Sequence, residues 1–111
     1  MAMETDGRAV KGARNQALWR EVNERIEKIA ASDGPPEFIC ECANMDCLET
    51  LQLTITEYEA VRESPVRFPV TPGHVYPDFE RVVEENDRYA IVEKFGTAAE
   101  LAERLDPRKA T

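Results

Sequence analysis

The feature that most constrains this chain is the run Phe38-Ile39-Cys40-Glu41-Cys42-Ala43-Asn44-Met45-Asp46-Cys47, which holds all 3 of its cysteines. Cys40 and Cys42 are one residue apart, so on an extended strand both thiols leave the same face, because side chains alternate along a strand. Ala43-Asn44-Met45-Asp46 has the turn chemistry of Asn and Asp and can fold the chain back, so that Cys47 arrives beside the first pair. That makes three soft ligands where zinc normally takes four. The fourth candidate is His74, the only histidine, in Pro72-Gly73-His74, where a turn can present an imidazole. Asp46 is the main competitor, although lying next to Cys47 makes it sterically awkward.

A chain of 111 residues has room for one compact domain with a modest core. Such a domain gains from a metal staple. With 42% hydrophobic and 32% charged residues it fits neither the disordered nor the membrane class. The formal charge of −8 repels phosphate, and no basic run offsets it, so nucleic acid and anionic lipid are poor partners on sequence grounds. A protein partner stays open, as does the oligomeric state. Residues 1–12 are polar, without the apolar core of a signal peptide, and no later segment approaches membrane-spanning length. The expected location is therefore the cytoplasm. There, an odd and tightly clustered cysteine set points to metal or redox chemistry rather than a disulfide framework.

Residues 1–12 lack periodicity and read as a disordered tail, followed by one domain over 13–111. From Ala13 to about Ser32, Leu18, Val22, Ile26 and Ile29 recur at helical spacing and predict a helix buried along that stripe. Trp19 beside it reads as half-buried. Glu21 with Arg25, and Glu24 with Lys28, stand at the acid-before-base spacing that supports a solvated helix face. Asp33-Gly34-Pro35-Pro36 then stops the helix. Glu37 to Cys42 and Leu48 to Leu53 read as a strand pair, with the cysteine loop as their connection.

Thr54-Ile55-Thr56-Glu57 has capping-box spacing and predicts a short helix burying Ile55, Tyr58 and Val61 until Ser64-Pro65. Val66 to Thr71 is an edge-strand candidate, because Pro69 lacks the amide a central strand needs. Pro77 suits the first turn of another helix, with Phe79, Val82 and Val83 as its apolar cluster. Arg88 to Lys94 is apolar on both faces at Tyr89-Ala90-Ile91-Val92 and reads as a central strand. Thr97-Ala98-Ala99-Glu100 has the spacing of a second capping box, opening a helix with Leu101, Ala102 and Leu105 inward until Asp106-Pro107. The predicted fold is α+β: a long N-terminal helix on a small, mainly antiparallel sheet, short helices, and a zinc site at one end.

Cys40, Cys42, Cys47 and His74 are thus the candidate metal ligands, with zinc as the expected ion and an iron–sulfur cluster as the alternative. Four protein ligands leave no open position, which favours a structural site in a binding or regulatory module. A thiol-based redox sensor shares the same site. A cysteine nucleophile with His74 as base is the enzymatic rival, although three cysteines exceed its needs. No Gly-rich phosphate loop and no H-E-x-x-H helix is present.

The segments Leu18-Trp19-Arg20-Glu21-Val22-Asn23-Glu24-Arg25-Ile26, the cysteine cluster, Leu53-Thr54 with Glu57-Tyr58-Glu59-Ala60-Val61-Arg62, Pro72-Gly73-His74 and Val92-Glu93-Lys94 together carry a resemblance. In them the chain resembles a family of small uncharacterised bacterial proteins. The resemblance covers most of the chain after residue 12 and implies a recurrent compact domain, with no catalytic residue to carry over.

Overall fold

The computed structural model describes residues 2–29, 36–44 and 46–108, and among these described residues the chain forms two antiparallel sheets and three helices. The order is α1 (Ala2–Ile29), β1 (Glu37–Ile39), β2 (Thr50–Gln52), α2 (Ile55–Val61), β3 (Arg67–Val70), β4 (Glu80–Glu85), β5 (Ala90–Lys94) and α3 (Gly96–Leu105). This is the α+β architecture that the sequence predicts, with the sheet divided in two. No helix among the described residues is long and apolar enough to cross a membrane.

Strands β1 and β2 pair with Phe38 opposite Leu51, and the cysteine loop joins them. In the second sheet β5 lies between β3 and β4, as its two apolar faces require, and β3 takes an edge, as Pro69 requires. The Glu41 amide donates to the Pro69 carbonyl at 2.9 Å, so the residues that follow β1 lie against β3. Phe38, Leu51, Leu53, Tyr58, Phe68, Val70, Ile91 and Val92 form one buried cluster with the three cysteines. Within it Phe38 and Tyr58 stack with ring centroids 4.4 Å apart. Helix α2 opens on the expected capping box: Thr54 Oγ1 accepts from the Glu57 amide, and the Glu57 carboxylate accepts from the Thr54 amide. It buries Tyr58 and Val61 and leaves Ile55 exposed.

Four expectations are corrected. First, α1 begins at Ala2 rather than near residue 13, and Ala9 is buried while Arg8 donates to Asp78 at 2.7 Å. Small residues carry this contact: Ala9 clusters with Ala43, Phe79 and Ala98, and closeness of that kind leaves no apolar period to read. Second, of the stripe Leu18, Val22, Ile26 and Ile29 only Ile26 packs against the core, half-buried, while Leu18, Val22 and Ile29 face outward at 49%, 40% and 81% exposure and Gln16, Arg20 and Asn23 are buried instead. Trp19 is half-buried as expected, but its buried Nε1 meets no acceptor. The Glu24–Lys28 pair gives way to longer-range partners, since Glu24 accepts from Tyr58, Arg62 and Arg108.

Third, Glu80–Glu85 is a strand and not a helix. Val82 and Val83 are β-branched and suit a pleated strand, pairing with β5 satisfies the backbone, and a bulge falls between Val82 and Glu84. Its first residue, Glu80, is buried against Lys94, with Lys94 Nζ 3.4 Å from the carboxylate. Fourth, α3 forms without its capping box. Phe95 holds the cap position with no side-chain bond, and Gly96 at φ +64° supplies the turn into the helix. Ala98 and Ala102 are its buried residues, and Leu105 is exposed. The stop signal at Asp33-Gly34-Pro35 lies outside the described residues, and α1 ends at Ile29.

Candidate metal centre

Each ligand side chain is placed by the local structure around it. Cys40 follows β1 directly, and its amide donates to the Glu49 carbonyl at 2.9 Å, one step beyond the β1–β2 ladder. Alternation then puts Cys42 on the same side as Cys40 and Glu41 on the other. The loop returns through a tight turn in which the Cys47 amide donates to the Asn44 carbonyl at 3.1 Å and the Asp46 amide to Asn44 Oδ1 at 2.9 Å. His74 arrives from the β3–β4 connection. There Thr71-Pro72-Gly73-His74 closes with a His74 amide to Thr71 carbonyl bond of 2.9 Å, and Gly73 has φ +93°. Proline second and a left-handed glycine third is the pattern of a type II turn.

The result is that one atom from each of Cys40, Cys42, Cys47 and His74 lies within 4.8 Å of all the others. His74 Nδ1 is 3.6 Å from Cys40 Sγ and 3.6 Å from Cys47 Sγ. A tetrahedral ion with metal–sulfur bonds of about 2.3 Å and a metal–nitrogen bond of about 2.0–2.1 Å sets its sulfur and nitrogen ligands about 3.6 Å apart. The spacing therefore fits a single ion, and this Cys3His cluster can bind a metal. The three thiols are buried, and none forms a disulfide.

Other groups prepare the ligands. The Thr71 amide donates to Cys40 Sγ at 3.1 Å. The neighbouring Cys42 thiol, followed by Thr71, brings the Cys40 thiol down to about 5 against the opposing effect of burial. Contact with Cys40, and burial, push Cys42 up, and burial pushes Cys47 up. With Nδ1 aimed at the sulfurs, His74 Nε2 sits 3.1 Å from a Glu49 carboxylate oxygen, the arrangement in which a carboxylate fixes the tautomer of a metal-binding histidine. A cavity of about 230 Å³ lined by Cys42, Asn44, Gly73, His74, Val75 and Tyr76 adjoins the cluster. Asp46 is exposed and lies outside the four-residue cluster.

The opposite face of the same segment is held by α1. Glu41 is fully buried; its carboxylate accepts from Arg20 Nε at 3.3 Å and Asn23 Nδ2 at 2.6 Å, and its carbonyl from Gln16 Nε2 at 2.9 Å. Asn23 also closes both backbone groups of Ile39, accepting from its amide at 2.7 Å and donating to its carbonyl at 2.8 Å. Asn15 donates to the Ala43 carbonyl at 2.8 Å. Arg20 reaches further, to the carbonyls of Pro65 and Arg67, and stacks 3.7 Å over the Phe68 ring. Burial raises the Glu41 carboxyl, and Arg20 opposes the shift.

The sequence marks the four clustered residues but not this support. Glu49 is one acid among many in the chain, and the row Gln16, Arg20 and Asn23 reads as a solvated face until the position of Glu41 is known. Comparison with protein-family models, with curated proteins and with solved structures finds no significant match to the chain.

Proposed function

We propose that the chain is a small cytoplasmic zinc-binding module in which Cys40, Cys42, Cys47 and His74 hold one zinc ion as a closed structural site. The convergence of these four ligand atoms within 4.8 Å carries the reading. A two-iron cluster divides its ligands between two metals and spreads them more widely, so the spacing favours a single ion. Three thiolates and one imidazole suit zinc, and a complete protein ligand set leaves no place for substrate or water. The site joins the cysteine loop to the β3–β4 connection, and metal binding energy then enters the folding equilibrium. Its role is to fix a surface for a partner, not to perform chemistry.

Elemental analysis of protein purified without a metal-binding tag should find about one zinc per chain. His74→Ala should weaken zinc binding and lower Tm, and Asp46→Ala should change neither. Cobalt-substituted protein should give a tetrahedral, sulfur-rich spectrum that added azide does not alter. Metal-free protein that is fully folded, or an unaffected His74→Ala variant, ends the four-ligand reading. A spectrum that moves with azide reopens the enzymatic one.

A further inference from the structure

Helix α1 turns Gln16, Arg20 and Asn23 inward together with Ala9, Ala13 and Ile26, and leaves three large apolar residues outside. Leu18, Val22 and Ile29 are exposed, and so are Lys11, Arg14, Arg25 and Lys28. At roughly 100° per residue, Arg14, Arg25, Leu18, Ile29, Lys11 and Val22 fall within about 80° of one another. They form one continuous ribbon. Glu21 is the only exposed acid of the helix between Gly7 and Ile29.

The charge on this ribbon sets it apart from the rest of the surface. Outside α1, every described cation except Arg104 lies within salt-bridge distance of a carboxylate. Lys11, Arg14, Arg25 and Lys28 meet no carboxylate among the described residues, in a chain with 22 acidic groups. Lys11, Arg14 and Arg25 give the ribbon +3, with Lys28 and Glu21 cancelling at its border, which leaves −11 for the remainder of a chain at −8.

We propose that this ribbon is a docking surface for an acidic amphipathic helix of a partner protein. Leu18, Val22 and Ile29 follow the four- and seven-residue spacing by which two helices interlock. The flanking cations complement Asp and Glu bordering the apolar seam of such a partner. A second copy of this chain fits poorly, because a two-fold contact through the ribbon sets one +3 face against another. A bilayer or nucleic acid is an extended anionic surface and meets the −11 remainder as well, whereas one helix is narrow enough to meet the ribbon alone. The ribbon also exposes no aromatic side chain, which interfacial helices use.

The test uses the full metal-loaded chain and two dye-labelled synthetic helices with leucine at the a and d positions, one carrying glutamate at e and g and the other lysine. Fluorescence anisotropy should show binding of the glutamate peptide only, weakening as salt rises. The double variant Arg14→Glu/Arg25→Glu should weaken that binding at least about tenfold, and Leu18→Ala/Val22→Ala should weaken it about as much. All four positions are exposed, so circular dichroism and zinc content should match the parent. Equal binding of both peptides, no binding of either, or full affinity in the charge-reversed variant overturns the proposal. So does retention on phosphatidylserine vesicles that the same substitutions abolish, or a dimer in sedimentation that they disperse. None of these outcomes depends on which metal the Cys3His cluster holds.

Discussion

The two faces of the segment from Ile39 to Ala43 are held by opposite means. On one face Cys40 and Cys42 gather with Cys47 and His74 around a space fit for a single ion. On the other face, Gln16, Arg20 and Asn23 satisfy Ile39 and Glu41 group by group, through bonds that need no ligand, although Gln16 Oε1 itself meets no donor. With the proposed metal, one face is conditional on that ion and the other is permanent. Because strand alternation generates both, the backbone cannot rotate to serve one face without surrendering the other. The permanent face thereby fixes the backbone from which the Cys40 and Cys42 thiols project.

Breaking the conditional face should have the largest effect. Removing zinc with a strong chelator, or replacing Cys42 with Ala, should cost on the order of 5 kcal/mol or more, read as loss of the cooperative melting transition. If metal-free protein melts like the parent, the sulfur face contributes little and the comparison fails.

Breaking the permanent face comes next. Arg20→Ala strands the Glu41 carboxylate in a fully buried position and should cost about 3–5 kcal/mol. The double variant Arg20→Met/Glu41→Leu removes both charges and should recover much of that loss in denaturant titration. Zinc affinity should fall in the single variant more than in the double. Equal affinity in all three proteins would show that the two faces act independently.

The smallest effect concerns the far end of α1, where Glu24 is only partly buried. Burial works against its charge, but hydrogen bonds from Arg108, Tyr58 and Arg62 hold its carboxyl down at about 2, below the ordinary 4.5. A depressed acid contributes stability that is present above 4.5 and is lost as pH falls through about 2. The Tm difference between parent and Glu24→Gln should therefore be a few degrees at neutral pH and should shrink across that window. A difference that does not change with pH would assign the effect to packing.

Much of the fold can be read locally, because its signals are local. The Thr54 box, the Pro69 edge, the two-sided apolar run at Tyr89 to Val92 and the Pro72-Gly73 turn each depend on a few adjacent residues. The convergence of His74 on the thiols was accessible by ligand arithmetic, since zinc needs four ligands and the chain has one histidine. The orientation of α1 was not accessible. Its apolar stripe predicts burial, yet burying Arg20 and Asn23 becomes favourable through Glu41, the Ile39, Pro65 and Arg67 backbone and the Phe68 ring, partners that no local pattern reveals. Strand β4 misled for a related reason: Phe79, Val82 and Val83 satisfy a helical period, and only pairing with β5 decides for the strand.

One small feature limits how this chain can vary. A Cβ placed on Gly12 would stand 2.9 Å from Phe79 Cζ and 3.0 Å from Ala43 Cβ, and Phe79 is itself 97% covered, at 3% exposure, and stacked on Tyr76. Glycine in a helix interior sacrifices about 1 kcal/mol relative to alanine, so nothing in helix formation recommends it there. The neighbours alone dictate the choice. Any larger residue at position 12 has to displace both the Phe79 ring and Ala43, so the spacing between α1 and the cysteine loop is set by the absence of a single carbon.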